Sequence, residues 1–423
     1  MGLGTDFPNN IVHVTLFLAL ASICGSVITQ GVFPNPRRVY QDGIVNERIL
    51  GQGVVAERFE LNHLVVTEWG RVFVGAVNRI YELDSDLTVL GEVETGPVND
   101  SLKCLPDSET RKCSYTKTVT DNYNKVLVHY KGLKEKLLTC GSVYQGACEA
   151  RNLKNISRAH FYYESESGSI LDYAVAAASP TASTVAFVAP GPEEVQSEVL
   201  YVGATYSGGD TDLITEQLRG LVPALSTRSL GKNRFELIAK TDSLQAQFSG
   251  IYIQKTIRAQ YLIEYVTGFT SDIYSYFLTR QPENPGIKDS PIVSKVIQIC
   301  QEDTYYNSYI DMPLVCKTEA GKNYNYLQAA RVTKASKNLQ LSFGLRSADD
   351  ILIGLFSDNE GDHEANSAIC VFTMQYIRKK LLENVQRCFR GEDVSGGGYL
   401  NKKQCQKLVS IVVKQCFCSL SNT

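Results

Sequence analysis

"RVFVGAVNRIYELD", residues 71–84, is the stretch on which the fold turns. Its two halves, "RVFVGAV" and "RIYEL", are rich in β-branched and aromatic residues and meet at Asn78, so the stretch predicts two strands folded back on each other. No glycine occupies the turn. Asn78 tolerates the left-handed conformation a tight turn demands, which makes glycine dispensable there. A cysteine, Cys104, follows soon after, with Cys113 close behind it.

Outward from this hairpin, strand-like runs bounded by polar turns fill the chain: "HLVVT", "KVLVHY", "KLLTC", "STVAFVA", "VLYVGATY", "FELIAK", "GIYIQ", "QYLIEYVTG", "SYFLTR", "VIQIC", "LQLSFGL", "DILIGLF" and "AICVFTM". Helical periodicity is clear only in "YIRKKLLENVQRCF", 376–389, and weaker over 323–336. The class is therefore all-β with one or two short helices. A unit of the hairpin also repeats, as "VFVGA" at 72–76 and "LYVGA" at 200–204. "LLTCGS", "YLIEYVTG" and "DILIGLF" take comparable places after a preceding strand. The spacing, roughly 50–75 residues, holds four antiparallel strands with their loops, which is one propeller blade. Gly75 with Ala76, and Gly203 with Ala204, supply the small residues that crowded inner positions need. A β-sandwich built from unrelated hairpins is the competing arrangement. The single tryptophan, Trp69, excludes propellers with repeated WD or sialidase-type signatures.

At 423 residues the chain exceeds one ordinary compact core, and its net charge of −3 carries no footprint for nucleic acid or an anionic membrane. Residues 1–26 read as a secretory signal peptide, with an apolar run from Val14 to Ile23 and cleavage near Gly25–Ser26. No later run approaches the roughly 20 apolar residues of a bilayer span. The chain is accordingly expected to be secreted, or to be an ectodomain segment. Twelve cysteines, several closely spaced, fit disulfides in an oxidising compartment. Zinc is disfavoured because no Cys-x₂-Cys pair exists and no histidine stands beside a cysteine. Asn99 and Asn155 head glycosylation sequons between predicted strands.

No nucleophile motif, HExxH, P-loop or dinucleotide turn accompanies His63 and His129 in predicted strands, or His160 and His363 in loops, so no enzyme activity and no cofactor are expected. "SDNEGDHE", 357–364, misses the spacing of a calcium loop and reads as a solvated hairpin loop.

"VGAVNRIYEL", "TGPVNDS" and "CGSVYQGAC", with "YNSYIDMPLVC", "SAICVFTM" and "QRCFRGE", resemble the sema domain of plexins over about residues 54–418. Met-type receptor kinases share "TGPV" and part of the "CGS" pattern; "GACEARNL" leans towards B-type plexins. The resemblance implies a sema-type seven-bladed β-propeller, incomplete here at about five blades, with short helices in insertions. Its domains would be a signal peptide over 1–26, a linker over 27–53 and a sema domain over 54–423 that stops short. It implies disulfides Cys104–Cys113, Cys140–Cys148, Cys300–Cys418, Cys316–Cys370 and Cys388–Cys405, and leaves Cys416 as a competitor for Cys300 or a free thiol.

As to function, the resemblance implies a semaphorin receptor acting in axon guidance at the cell surface, with a semaphorin sema domain as ligand and scope for sema–sema self-association. A secreted decoy or truncated non-signalling product, or a Met-type receptor sema domain, is the alternative. Candidate ligand contacts lie in two polar loops taken as exposed: Tyr206, Asp210 and Asp212 in "TYSGGDTD", and Lys402, Lys403 and Lys407 in "NKKQCQK". Missing blades would leave "VVAERF", 54–59, without partner strands, and the chain is then expected to be an incomplete folding unit.

Overall fold

The computed structural model describes residues 61–107, 112–132, 135–161, 170–193, 197–208, 213–231, 235–239, 249–284, 287, 289–345, 349–358, 367–392 and 400. The proposed signal peptide, the linker and "VVAERF" lie outside them. So do Asp210, Asp212, His363, Lys402, Lys403, Lys407, Cys405, Cys416 and Cys418.

Antiparallel meanders account for almost everything described. The first holds β1 (Leu61–Val66), β2 (Val72–Ala76), β3 (Arg79–Leu83) and β4 (Val89–Glu94), hydrogen-bonded in chain order. The second holds β7 (Asn124–Tyr130), β8 (Lys136–Gly141), β9 (Cys148–Asn152) and β10 (Asn155–Phe161), and a small ribbon pairs β5 (Val98–Asp100) with β6 (Thr118–Thr120). The third holds β11 (Thr184–Pro190), β12 (Glu198–Ala204), β13 (Leu225–Ser229) and β14 (Gly250–Ile251). The fourth holds β15 (Glu264–Ser271), β16 (Tyr274–Pro282), β17 (Ile292–Cys300) and β18 (Ile310–Pro313). A ribbon of β19 (Cys316–Lys317) and β20 (Asn323–Tyr324) leads to a three-stranded fifth sheet, β21 (Tyr326–Lys334), β22 (Asp350–Ser357) and β23 (Ser367–Thr373). Five blade-sized sheets, each ordered along the chain, are what a propeller requires and match the expected number.

The chain divides into two compact units. Unit one carries the first two sheets. There the opening hairpin closes at Asn78, whose φ is 62°, the left-handed region that asparagine accepts. Asn78 also docks the turn: its Oδ1 accepts from the Asn122 N–H at 2.7 Å, and its own N–H donates to Asn122 O at 2.8 Å. Phe73 and Ile80 from the first sheet bury against Leu127, Leu137 and Ile156 of the second. Gly75 is required at this contact, since a Cβ there would stand 2.3 Å from Asn124 Oδ1.

Unit two carries the third, fourth and fifth sheets and the β19–β20 ribbon. Tyr201 and Val199 of the third pack against Tyr265, Phe277 and Ile297 of the fourth, with Phe187 stacked 5.6 Å from Tyr201 and tilted 5.2 Å from Phe277. Gly203 stands where Gly75 does in its own blade, and a Cβ there would fall 2.3 Å from the Tyr265 ring. The repeated Val-Gly-Ala thus has a cause: the glycine lets the first strand of the next blade approach. A second cluster joins Tyr276, Leu278 and Val296 to Leu327, Leu352 and Phe356, and is covered by Met374, Ile377 and Leu381.

Four helical segments stand among the described residues, more than the sequence suggests: α1 (Ile170–Tyr173), α2 (Leu213–Arg219), α3 (Lys337–Phe343) and α4 (Met374–Phe389). "LQLSFGL", read as a strand, is mostly α3. Ser336 caps its start by accepting from the Leu339 N–H, and Gly344 ends it at φ 64°. The 323–336 stretch, read as a weak helix, is strand β20 and strand β21 instead. β21 lies along β22 from Tyr326 to Lys334, and that ladder outweighs local propensity. "FELIAK" forms only an isolated bridge, Leu237 to Arg228, and "GIYIQ" contributes only Gly250–Ile251 as strand. "YLIEYVTG" opens its sheet as β15 rather than following a strand. His160 lies in β10, not a loop, and the sequon asparagines lie in strands, Asn99 in β5 and Asn155 at the start of β10. Among the described residues no helix is long and apolar enough to cross a membrane.

Candidate functional site

Unit two contains a cleft of about 350 Å³, part of it open to solvent, and every element lining it is set by the third blade. β12 ends at Ala204, and Thr205 and Tyr206 follow it; α2 ends at Arg219, and Gly220 follows it; the turn Val222–Ala224 leads into β13; Tyr252, Ile253 and Arg258 follow β14. Thr205 fixes the end of β12, its hydroxyl donating to Ile263 O at 2.7 Å. Tyr206 was expected to be exposed. It is half-buried instead, lining the cleft with its ring centroid 5.9 Å from the Arg258 guanidinium.

Beneath this cleft lies a polar knot that the sequence does not announce. Tyr144, Gln145 and Gly146 are consecutive left-handed residues, at φ 53°, 64° and 77°. This turn presents Gln145, 1% exposed, whose Nε2 donates to Leu102 O and Cys104 O, each at 2.8 Å. Cys104 is bonded to Cys113, so the loop offering those carbonyls is closed covalently. The cysteine after the opening hairpin therefore holds the carbonyls on which Gln145 docks.

Arg219 connects the knot to the cleft. Only 2% exposed, it donates from Nη1 to Gln145 O at 2.8 Å and from Nη2 to Ala176 O at 3.2 Å and Ser207 Oγ at 3.1 Å. These acceptors are all neutral. Burial, opposed by Tyr206 and aided by the Arg228 charge, draws its pKa down to about 10, which still leaves it cationic at neutral pH. Arg228, also fully buried, bonds to Ser226 Oγ, Leu171 O, Phe235 O and Ala174 O, again neutral oxygens. Arg258 is the third guanidinium. Its side chain is 14% exposed, and its Nε, 3.6 Å from Glu216 Oε1, makes no hydrogen bond among the described residues. Lys255 Nζ shares that carboxylate at 3.5 Å. Burial raises the Tyr252 phenol on the same wall to about 12.

Among the described residues the cleft is thus a cationic, aromatic-lined recess. Of the proposed ligand contacts it holds Tyr206 alone. Sequence reasoning missed Gln145, Arg219, Arg228 and Arg258. The one available signal was Arg228 in "LSTRS", an arginine within a strand whose other members are all buried or half-buried.

Elsewhere, Cys316 in β19 is bonded to Cys370 in β23. Cys140, Cys148, Cys300 and Cys388 are also disulfide-bonded. Asn99 and Asn155 are exposed.

Comparison with known proteins agrees with this architecture. The Sema domain family matches residues 327–415. Human Plexin-A4 is 32% identical over 395 residues, 87% of this chain and 19% of that protein. Human Plexin-A2 is 29% identical over 377 residues, 85% of this chain and 19% of that protein. The solved extracellular region of Plexin A4, domains 1 to 8, superposes with a TM-score of 0.69 at 29% identity, covering 85% of this chain and 39% of that one. The chain spans about a fifth of the length of these curated relatives. Both relatives are A-type plexins. The blade meanders, the glycine that admits the next blade and an identity spread over most of the chain lead to one conclusion: the chain is a relative of the plexins, similar to their extracellular region over most of its length.

Proposed function

We propose that this chain forms the ligand-binding head of a semaphorin receptor, displayed outside the cell and acting in guidance signalling. The observation that carries this reading is the extent of the Plexin-A4 similarity, which covers 87% of the chain rather than a single motif. That the Plexin A4 structure is of an extracellular region supports placement in the secretory pathway, as does a set of disulfide-bonded cysteines. The ligand is a protein, read through loops rather than through a catalytic centre. Tyr206, Asp210, Asp212, Lys402, Lys403 and Lys407 are its proposed contacts.

Binding of a panel of purified semaphorin ectodomains to cells expressing the full receptor tests the reading. At least one should bind saturably, and charge reversal at Asp210 and Asp212, or at the three lysines, should weaken it and alter its salt dependence. A panel without saturable binding overturns the assignment. Both sequons are proposed to carry glycan, and mass analysis of the secreted chain before and after glycosidase should show Asn155 occupied; occupancy of neither argues against export.

A further inference from the structure

The geometry points to an acidic side chain as the group that enters the third-blade cleft: we propose that Arg258, with Arg219 behind it, receives the carboxylate of a glutamate or aspartate presented by a protein partner. The inference rests on the protein-binding reading above and adds the chemistry of one contact.

Charge is the first argument. Arg219 and Arg258 both line the cleft, and Arg219 meets only neutral oxygens among the described residues. Glu216 is the carboxylate in ion-pair range of Arg258, and Lys255 shares it. Among the described residues the recess therefore carries an excess of positive charge within a largely buried setting, where charge is least screened.

An orphan donor is the second. Among the described residues the Arg258 Nε–H is buried without an acceptor, and Glu216 at 3.6 Å is too far to serve. A buried N–H without a partner is costly, and a carboxylate is the acceptor whose two oxygens match the planar guanidinium fork.

Space is the third. A Cβ on Gly220 would fall 1.9 Å from Arg258 Nη1, so glycine at that position admits the guanidinium.

The test uses the full chain with ¹⁵N-labelled arginine, titrated with N-acetyl-glutamate N-methylamide, its glutamine counterpart, or sodium sulfate, while the Arg258 and Arg219 Nε–H resonances are followed. The glutamate probe should move both, with a dissociation constant on the order of 10 mM, and the glutamine probe should move neither. Arg258→Lys keeps a cation over Tyr206 and controls for folding; in it the Arg219 response should shrink several-fold. Silence towards the glutamate probe overturns the proposal, as does an equal response to glutamine, or a response to sulfate alone. A response that appears only in the Asp210→Asn, Asp212→Asn variant also overturns it, because the chain's own loop would then be the occupant. Semaphorin binding is measured in parallel. A positive titration without semaphorin binding removes the partner assignment and leaves the cleft chemistry standing, whereas a bound semaphorin unaffected by Arg258→Lys, with a silent titration, removes the cleft proposal alone.

Discussion

His63, on β1, shows how one residue couples the blade core to pH. Its Nδ1 is shielded from solvent without a hydrogen-bond partner among the described residues. Burial first, and the Lys125 charge second, hold its pKa down at about 4 against an ordinary 6.5. A group depressed in this way contributes its stability in full above pH 6.5 and loses it as pH falls towards 4, because the unfolded chain then binds the proton more readily. The loss approaches roughly 3 kcal/mol at the acid end. His63→Gln should flatten that limb, read as urea midpoints at pH 7, 5 and 4; equal acid slopes in the two proteins would show that His63 is not the group responsible. Gly203 tests packing in the same terms. A Cβ there meets the Tyr265 ring, which is 4% exposed and held edge-on to Phe277 at 5.8 Å, so neither side has room to give. Gly203→Val is expected to cost about 2–3 kcal/mol by overpacking. A change within about 0.5 kcal/mol, the range of a surface substitution, would mean that the blades do not meet there.

Among elements, β19 and β23 are tied by Cys316–Cys370 across a sequence separation of 54, whereas Cys104–Cys113 spans only 9. Chain-entropy reasoning assigns about 4 kcal/mol to the longer loop and about 3 kcal/mol to the shorter. The Cys316→Ser, Cys370→Ser pair should therefore lower the melting temperature more than Cys104→Ser, Cys113→Ser. The short loop makes the comparison a sharp one, because it also presents the carbonyls that hold Gln145. A larger loss from the short loop would show that the Gln145 knot outweighs loop entropy. The blade strands were legible because their cause is written locally, as β-branched and aromatic runs between polar turns. α3 was not: "LQLSFGL" has the composition of a strand, and its state is decided by Ser336 and Gly344 at its ends. β21 was obscured in the opposite sense, since its pairing with β22 is made by residues distant in sequence. The site was the least legible part. A buried arginine is spelled like a surface one, and only the fold brings Arg219 from α2 to a carbonyl of the β8–β9 turn.

For the molecule as a whole, tyrosine burial sets the alkaline limit. Tyr201, Tyr265, Tyr276 and Tyr306 are each at most 4% exposed, all in the second compact unit. Burial pushes every one of these phenols well above its ordinary pKa of 10. Tyr306 shares a hydrogen bond with Thr227 Oγ1 at 2.8 Å, and Tyr276 donates to Gln298 Oε1 at 2.9 Å. Below pH 10 the phenols are neutral in both the folded and the unfolded chain and contribute no pH dependence. Above pH 10 the unfolded chain releases these protons first, so folded stability falls as pH rises. Each group then costs roughly 1 kcal/mol per pH unit, and four together cost several kcal/mol by pH 11, comparable with the whole stability of an ordinary domain. We therefore expect cooperative unfolding between about pH 10 and pH 11.5. Tyrosinate absorbance near 295 nm should rise in one step, coincident with the loss of β-sheet circular dichroism and irrespective of Tyr206, which lies in the half-buried cleft wall. Smooth ionisation of all tyrosines centred near pH 10, with the circular dichroism unchanged, would place those four rings in contact with water and remove the packed interface between the third and fourth blades on which the cleft depends.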